Sequence, residues 1–140
     1  MMRTLAAAIA GVIVAMLAIQ LVQMLGHLVY PPPADIEFGE PEQVREFIAT
    51  LPIGSILFVG AAWTIGTFVG ALAGALIART GAIPYAIVVG GFVLAGAILM
   101  LVIIPHPWWF TIAAPLAIVA AAILAVFLAP GLRPSRGSIE

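Results

Sequence analysis

The sequence predicts an all-α membrane protein, a bundle of four transmembrane helices with a short amphipathic helix in the first outer loop. Hydrophobic residues make up 64% of the 140 residues and charged residues only 8%, whereas soluble domains carry about 25% charged residues. Four apolar stretches, each long enough to cross the hydrocarbon of a bilayer, occupy residues 5–30, 51–78, 83–104 and 108–129. We therefore expect a single integral membrane domain over residues 1–140.

The first span, residues 5–30, is too long for the apolar region of a cleaved signal peptide, so we expect it to be retained. Near its end it carries three polar residues, Gln20, Gln23 and His27. At about 100° per residue these lie within about 60° of one another and form one stripe. The stripe is open to three interpretations: interhelical hydrogen bonding, a solute or ion cavity, or metal or haem ligation by His27.

The loop at 31–50 contains the predicted amphipathic helix, at about 41–50. Its apolar residues Val44, Phe47 and Ile48 recur with helical spacing among charged residues. We expect this helix to lie on the outer surface and cover the bundle, as an interfacial connector or as a functional lid.

The second span carries two overlapping GxxxG motifs formed by Gly66, Gly70 and Gly74. Glycines four apart allow another backbone to come close, and that backbone could belong to the same chain or to a second protomer. Trp63 lies near mid-membrane on the same side of the helix as these glycines. It is a candidate cavity residue or a packing residue.

A tight turn joins the third and fourth spans, so these spans should pack as antiparallel neighbours, as should the second and third. His106 lies in this turn between two prolines, at the same outer level as His27. The two histidines are weak candidates for a shared metal or haem. Trp108, at the same outer level, is typical of the belt of aromatic residues at the lipid headgroups. The alternative is that it forms part of an aromatic cage around a ligand.

Arginine placement predicts the orientation. Arg3, Arg79, Arg133 and Arg136 all fall on one side of the four spans, and basic residues near span ends stay in the cytoplasm. Both termini are therefore predicted to be cytoplasmic and the acidic loop at 31–50 to be outside. The predicted location is a bacterial inner membrane.

Several function classes are disfavoured by what the sequence lacks. The spans contain no Asp, Glu, Lys or Arg, which argues against proton coupling through a buried carboxylate. The chain has no cysteine and no recognisable nucleophile–base or phosphate-loop motif. Its few scattered basic residues do not suggest nucleic-acid binding. We predict a protein that is not an enzyme.

Two segments, Gly26–Pro33 (GHLVYPPP) and Ile104–Phe110 (IPHPWWF), resemble those of uncharacterised small four-helix proteins of bacterial inner membranes. The resemblance implies the same fold and a similar location. It implies no activity, no cofactor and no functional residue.

The leading functional hypothesis is a non-enzymatic membrane protein that acts through helix packing, as a homo-oligomer or as an accessory subunit of a membrane complex. The first alternative is a small-solute or ion permeation protein with a path along Gln20, Gln23 and His27. The second is a binder of haem, metal or a lipophilic cofactor that uses His27 and His106.

Overall fold

The computed structural model of the chain describes residues 2–31, 40–79 and 81–129. Its helices are α1 (Met2–Val29), α2 (Pro41–Thr50), α3 (Ile53–Ala78), α4 (Ile83–Ile103) and α5 (Trp108–Leu128). The four long helices each have the length and apolar composition needed to cross a membrane. The predicted fold class is confirmed. Features expected at 32–39 and 130–140, including Arg133 and Arg136, lie outside the described residues.

Prolines mark where the helices begin. Pro41 and Pro84 occupy the first turns of α2 and α4, and Pro52 and Pro107 immediately precede α3 and α5. The N–H that proline lacks has no intrahelical partner at these positions, so its loss costs little. At its other end α3 stops at Arg79, whose left-handed backbone (φ 55°, ψ 39°) turns the chain toward α4.

The bundle has a diamond-shaped cross-section. α3 contacts α1, α4 and α5, and α4 contacts the same two outer helices, whereas α1 and α5 do not contact each other. The predicted neighbours, α3 with α4 and α4 with α5, are confirmed. The most extensive contact, between α1 and α3, joins helices that do not follow each other through a tight turn.

Small residues account for the closeness of α1 and α3. Gly11 and Ala15 of α1 are buried against Gly70 of α3. A Cβ atom on Gly70 would lie 2.5 Å from the carbonyl oxygen of Gly11, and one on Gly11 would lie 2.8 Å from the carbonyl oxygen of Gly70. Side chains essentially never approach so closely, so this helix separation depends on glycine at both positions.

The other two glycines of the GxxxG motifs also face helices of the same chain. Gly66 packs under Ile19 of α1, and Gly74 packs under the ring of Tyr85 of α4. All three glycine surfaces are therefore covered within one chain, so the GxxxG face of α3 is not open to a second protomer.

The two ends of the bundle differ in chemistry. The arginine end, marked by Arg3 and Arg79, brings together the start of α1, the end of α3, the start of α4 and the end of α5 around the buried Tyr85. There the Arg3 guanidinium donates a long hydrogen bond of 3.5 Å to the carbonyl of Ile77. The opposite end, called here the His106 end, holds α2, the end of α1 and the α4–α5 turn.

α2 is amphipathic, as predicted. Phe47 and Ile48 are half-buried and Glu46 is exposed. Even so, the described residues of α2 make no close backbone contact with the four long helices. Extended backbone at Leu51 and Pro52 joins α2 to α3. The expectation that α2 covers the bundle stays a prediction.

Candidate functional site

The polar stripe of α1, formed by Gln20, Gln23 and His27, faces away from the bundle. Gln20 and His27 are exposed and Gln23 is half-buried. The buried residues Gly11 and Ala15 lie about 140–180° around the helix from Gln20. Among the described residues, no hydrogen bond joins the stripe to another part of the chain. Interhelical bonding of the stripe within one chain is therefore not found.

The depth of Gln20 makes this exposure costly. Gln20 lies nine residues before Val29, the last residue of α1. At 1.5 Å per residue that places it about 14 Å inside the end of the helix, within a hydrocarbon layer about 30 Å thick. A carboxamide without a hydrogen-bond partner is unfavourable there. The stripe would be stabilised by a polar partner outside the chain.

The stripe continues an apolar line along the same face of α1. The residues of this line are separated alternately by three and by four positions, and we call the line the α1 seam. It consists of Ala6, Ile9, Ile13, Met16, Gln20, Gln23 and His27. All of them are exposed except the half-buried Gln23. An average spacing of 3.5 residues is the repeat with which two helices pack along a common seam.

His106 belongs to an aromatic cluster at the His106 end. Its Nδ1 lies 2.7 Å from the carbonyl oxygen of Ile104, and its ring stacks on Phe110 at 5.2 Å between centroids with an angle of 17° between planes. Because a carbonyl only accepts hydrogen bonds, Nδ1 carries the hydrogen. Nε2 is then the ring atom left for a ligand.

The tryptophans considered as site residues have different surroundings. Trp63 is buried and packs against Phe110, with ring centroids 5.9 Å apart. Trp108 is 78% exposed. Trp109 is half-buried and meets Phe110 edge to face at 5.7 Å. Trp63 is therefore a core residue that lines neither of the clefts described below, and Trp108 stands free on the surface.

His27 and His106 are not brought together. His27 lies on the outward face of α1, while His106 stacks on the first turn of α5, and these two helices do not touch. Over residues 2–31, 40–79 and 81–129, no group of three or more His, Asp or Glu side chains could hold a metal ion. The geometry gives no support to a shared metal or haem ligated by these two histidines.

A cleft of about 370 Å³ separates α2 from the bundle, and we call it the α2 cleft. Arg45, Ile48 and Ala49 form its α2 side. The start of α3 and the segment 105–109, which includes His106, form the other sides. A second groove, of about 330 Å³ between α4 and α5, is lined by apolar residues and glycine. Neither is lined by the polar stripe of α1.

No protein-family model matches the sequence, and comparisons with curated proteins and with solved structures found no match. The resemblance to small four-helix proteins of bacterial inner membranes stays a prediction.

Sequence reasoning missed residues that the fold places at decisive points. Gly11 belongs to a small-residue stripe with Ala7 and Ala15, each four residues apart and each buried. That spacing was visible in the sequence and matches the glycines of α3. No comparable sequence signal identified Phe110 as the inward-facing ring of its aromatic segment or placed Arg45 and His106 in one cleft.

Proposed function

We propose that this chain is a non-enzymatic integral membrane protein that acts through helix packing and assembles as a homo-oligomer through the α1 seam. The observation that carries the proposal is the exposure of Gln20 on the outward face of α1, at a depth where its carboxamide meets hydrocarbon; His27 continues the same exposed line toward the end of the helix. The glycine-rich surfaces of α3 do not compete for this role, because helices of the same chain cover them.

A second copy of the chain fits the α1 seam because a carboxamide both donates and accepts hydrogen bonds. Two copies in one membrane are related by an axis normal to the bilayer, so their α1 helices run parallel and equivalent residues meet. Gln20 of one copy then faces Gln20 of the other. A polar residue at such a position fixes the register of two parallel helices.

The proposed setting is a bacterial inner membrane with the arginine end in the cytoplasm, in accord with the arginine distribution. The alternative of a permeation path along Gln20, Gln23 and His27 is less favoured, because neither of the two clefts described above is lined by these residues. In an accessory role the partner is a different protein, whereas in self-association it is a second copy of this chain. Identifying the partner separates the two.

The test compares the double substitution Gln20→Leu and Gln23→Leu with the control Gln43→Leu, which makes the same chemical change on α2. Self-association is measured by energy transfer between labelled copies in liposomes over a range of protein-to-lipid ratios. Interhelical polar contacts in membranes contribute about 1–2 kcal/mol. We therefore expect the double substitution to lower the association constant about tenfold and the control to leave it unchanged.

Cysteine cross-linking locates the interface, since the chain has no cysteine of its own. Ile13 lies on the α1 seam, whereas Leu21 is equally lipid-exposed but lies about 100° around the helix from Gln20. Ile13→Cys should form a disulfide between copies and Leu21→Cys should not. A monomer that associates only with a different, stoichiometric protein from native membranes would contradict self-association and support the accessory role.

A further inference from the structure

We propose that the α2 cleft binds the headgroup of a zwitterionic phospholipid of the surrounding membrane. This inference goes beyond self-association, since the cleft and the α1 seam share no residue. The volume of about 370 Å³ lies at the lower end of the roughly 300–1,000 Å³ typical of ligand sites. The cleft is partly open, so a headgroup can enter while its acyl chains stay in the bilayer.

The position of the cleft fits a headgroup. It lies beyond Ile103, the last residue of α4, and next to the first turn of α5. The exposed Trp108 and the cleft residue Trp109 lie at the same level, and amphipathic rings favour the interface between hydrocarbon and water. Below this level Ile53 and Ile56 of α3 line the cleft with apolar surface suited to the first carbons of an acyl chain.

Arg45 supplies the group that would hold a phosphate. Its side chain is exposed and lines the cleft, and it forms no ion pair with another described residue. A guanidinium presents paired N–H donors that match two phosphate oxygens. Arg45 is the one cationic side chain on α2, so the phosphate would lie on the α2 side of the cleft.

The neighbouring charges favour a headgroup that also carries an ammonium. Glu42 lies one turn before Arg45 on the same side of α2, and Glu46 directly follows it; both are exposed. On the opposite wall, His106 donates a hydrogen bond from Nδ1 to the Ile104 carbonyl, which leaves Nε2 as the ring atom available to a ligand. An ammonium would be attracted by the two carboxylates, whereas a lipid with net negative charge would be repelled by them.

The experiment measures the Kd of the first bound lipid by native mass spectrometry of the full chain in detergent. The probes are a phosphatidylethanolamine, a phosphatidylglycerol and a diacylglycerol with identical acyl chains, together with soluble glycerophosphoethanolamine. The variant is Arg45→Gln and its matched control is Arg79→Gln, which removes the same charge at the arginine end. Circular dichroism confirms that both variants keep their helices.

We expect the phosphatidylethanolamine to bind most tightly and Arg45→Gln to weaken it roughly fivefold, the contribution of one basic residue near a phosphate-bearing surface. The control should bind as the wild type does. Equal weakening by both variants, or equal affinity for the diacylglycerol, would overturn the site. Tighter binding of the phosphatidylglycerol would overturn the zwitterionic assignment, and equally tight binding of glycerophosphoethanolamine would overturn the membrane lipid as the source.

Discussion

Single glycines determine how closely the helices of this bundle approach. Lipid tails are as apolar as the buried side chains, so removal of apolar surface from water does little to bring two spans together within the membrane. Dispersion contacts between closely spaced backbones take its place. Gly11 and Gly70 provide this closeness because neither has a Cβ atom, so the carbonyl group of each lies against the backbone of the other.

Gly70→Ala tests this closeness directly. The added methyl group would lie 2.5 Å from the Gly11 carbonyl oxygen and 2.6 Å from the Ala15 Cβ, so the helices must separate. We expect a loss of about 1–3 kcal/mol in the free energy of unfolding, the usual cost of overpacking. Unfolding by sodium dodecyl sulfate in mixed micelles provides the measurement.

Gly91→Ala is the matched control for that experiment. No heavy atom lies within 4 Å of a Cβ placed on Gly91. Both substitutions gain the same helix propensity, up to about 1 kcal/mol, so the difference between the two variants isolates the steric effect. Equal stability of the two variants would show that α1 and α3 do not need to be this close.

At the scale of the element, each long helix presents one face to the bundle and one to the lipid, and the two faces are nearly equal in hydrophobicity although the bundle face has the smaller residues. α1 differs, because its outward face includes a polar stripe. α5 differs in another way, since Phe110 in its first turn lies against the rings of Trp63, His106 and Trp109. The attachment of α5 at the His106 end therefore depends largely on one ring.

Phe110→Ala should loosen this end of α5. Phe→Ala in a soluble core costs about 3–5 kcal/mol, part of which is transfer from water. The contribution of transfer from water is small when the unfolded state of the protein is also in lipid. We therefore expect a loss of roughly 2 kcal/mol in the free energy of unfolding in mixed micelles. Phe127→Ala, at the 78% exposed ring near the other end of α5, should change stability little. Equal effects at the two positions would contradict the role of the aromatic cluster.

At the scale of the whole molecule, four crossings bring the start of α1 and the end of α5 to the same end of the bundle. The described arginines at that end are Arg3 and Arg79, and the described acidic residues Glu40, Glu42 and Glu46 lie at the opposite end. This separation of charge is the physical basis of the proposed orientation, because basic residues are retained on the cytoplasmic side during insertion.

Single cysteines report the orientation in intact bacterial cells without background labelling, since the native chain has no cysteine. Glu42→Cys should react with a membrane-impermeant maleimide added outside, and Gly81→Cys should react only after the membrane is opened. Labelling of both positions from the same side would refute the crossing pattern. Labelling with the two sides exchanged would refute the cytoplasmic placement of the arginine end.

The sequence by itself determined that the chain crosses a membrane, how many times, and roughly where each helix starts, because these depend on the length of apolar segments and on prolines at their ends. Which face of each span meets protein was decided only by the tertiary structure. Hydrocarbon and protein interior are alike in polarity, so hydrophobicity does not distinguish the face of a span that meets protein. The close fit between small residues distinguishes it. The pairing of Gly11 with Gly70 turned Gln20 and His27 outward, and the arrangement of α2, the start of α3 and segment 105–109 formed the α2 cleft.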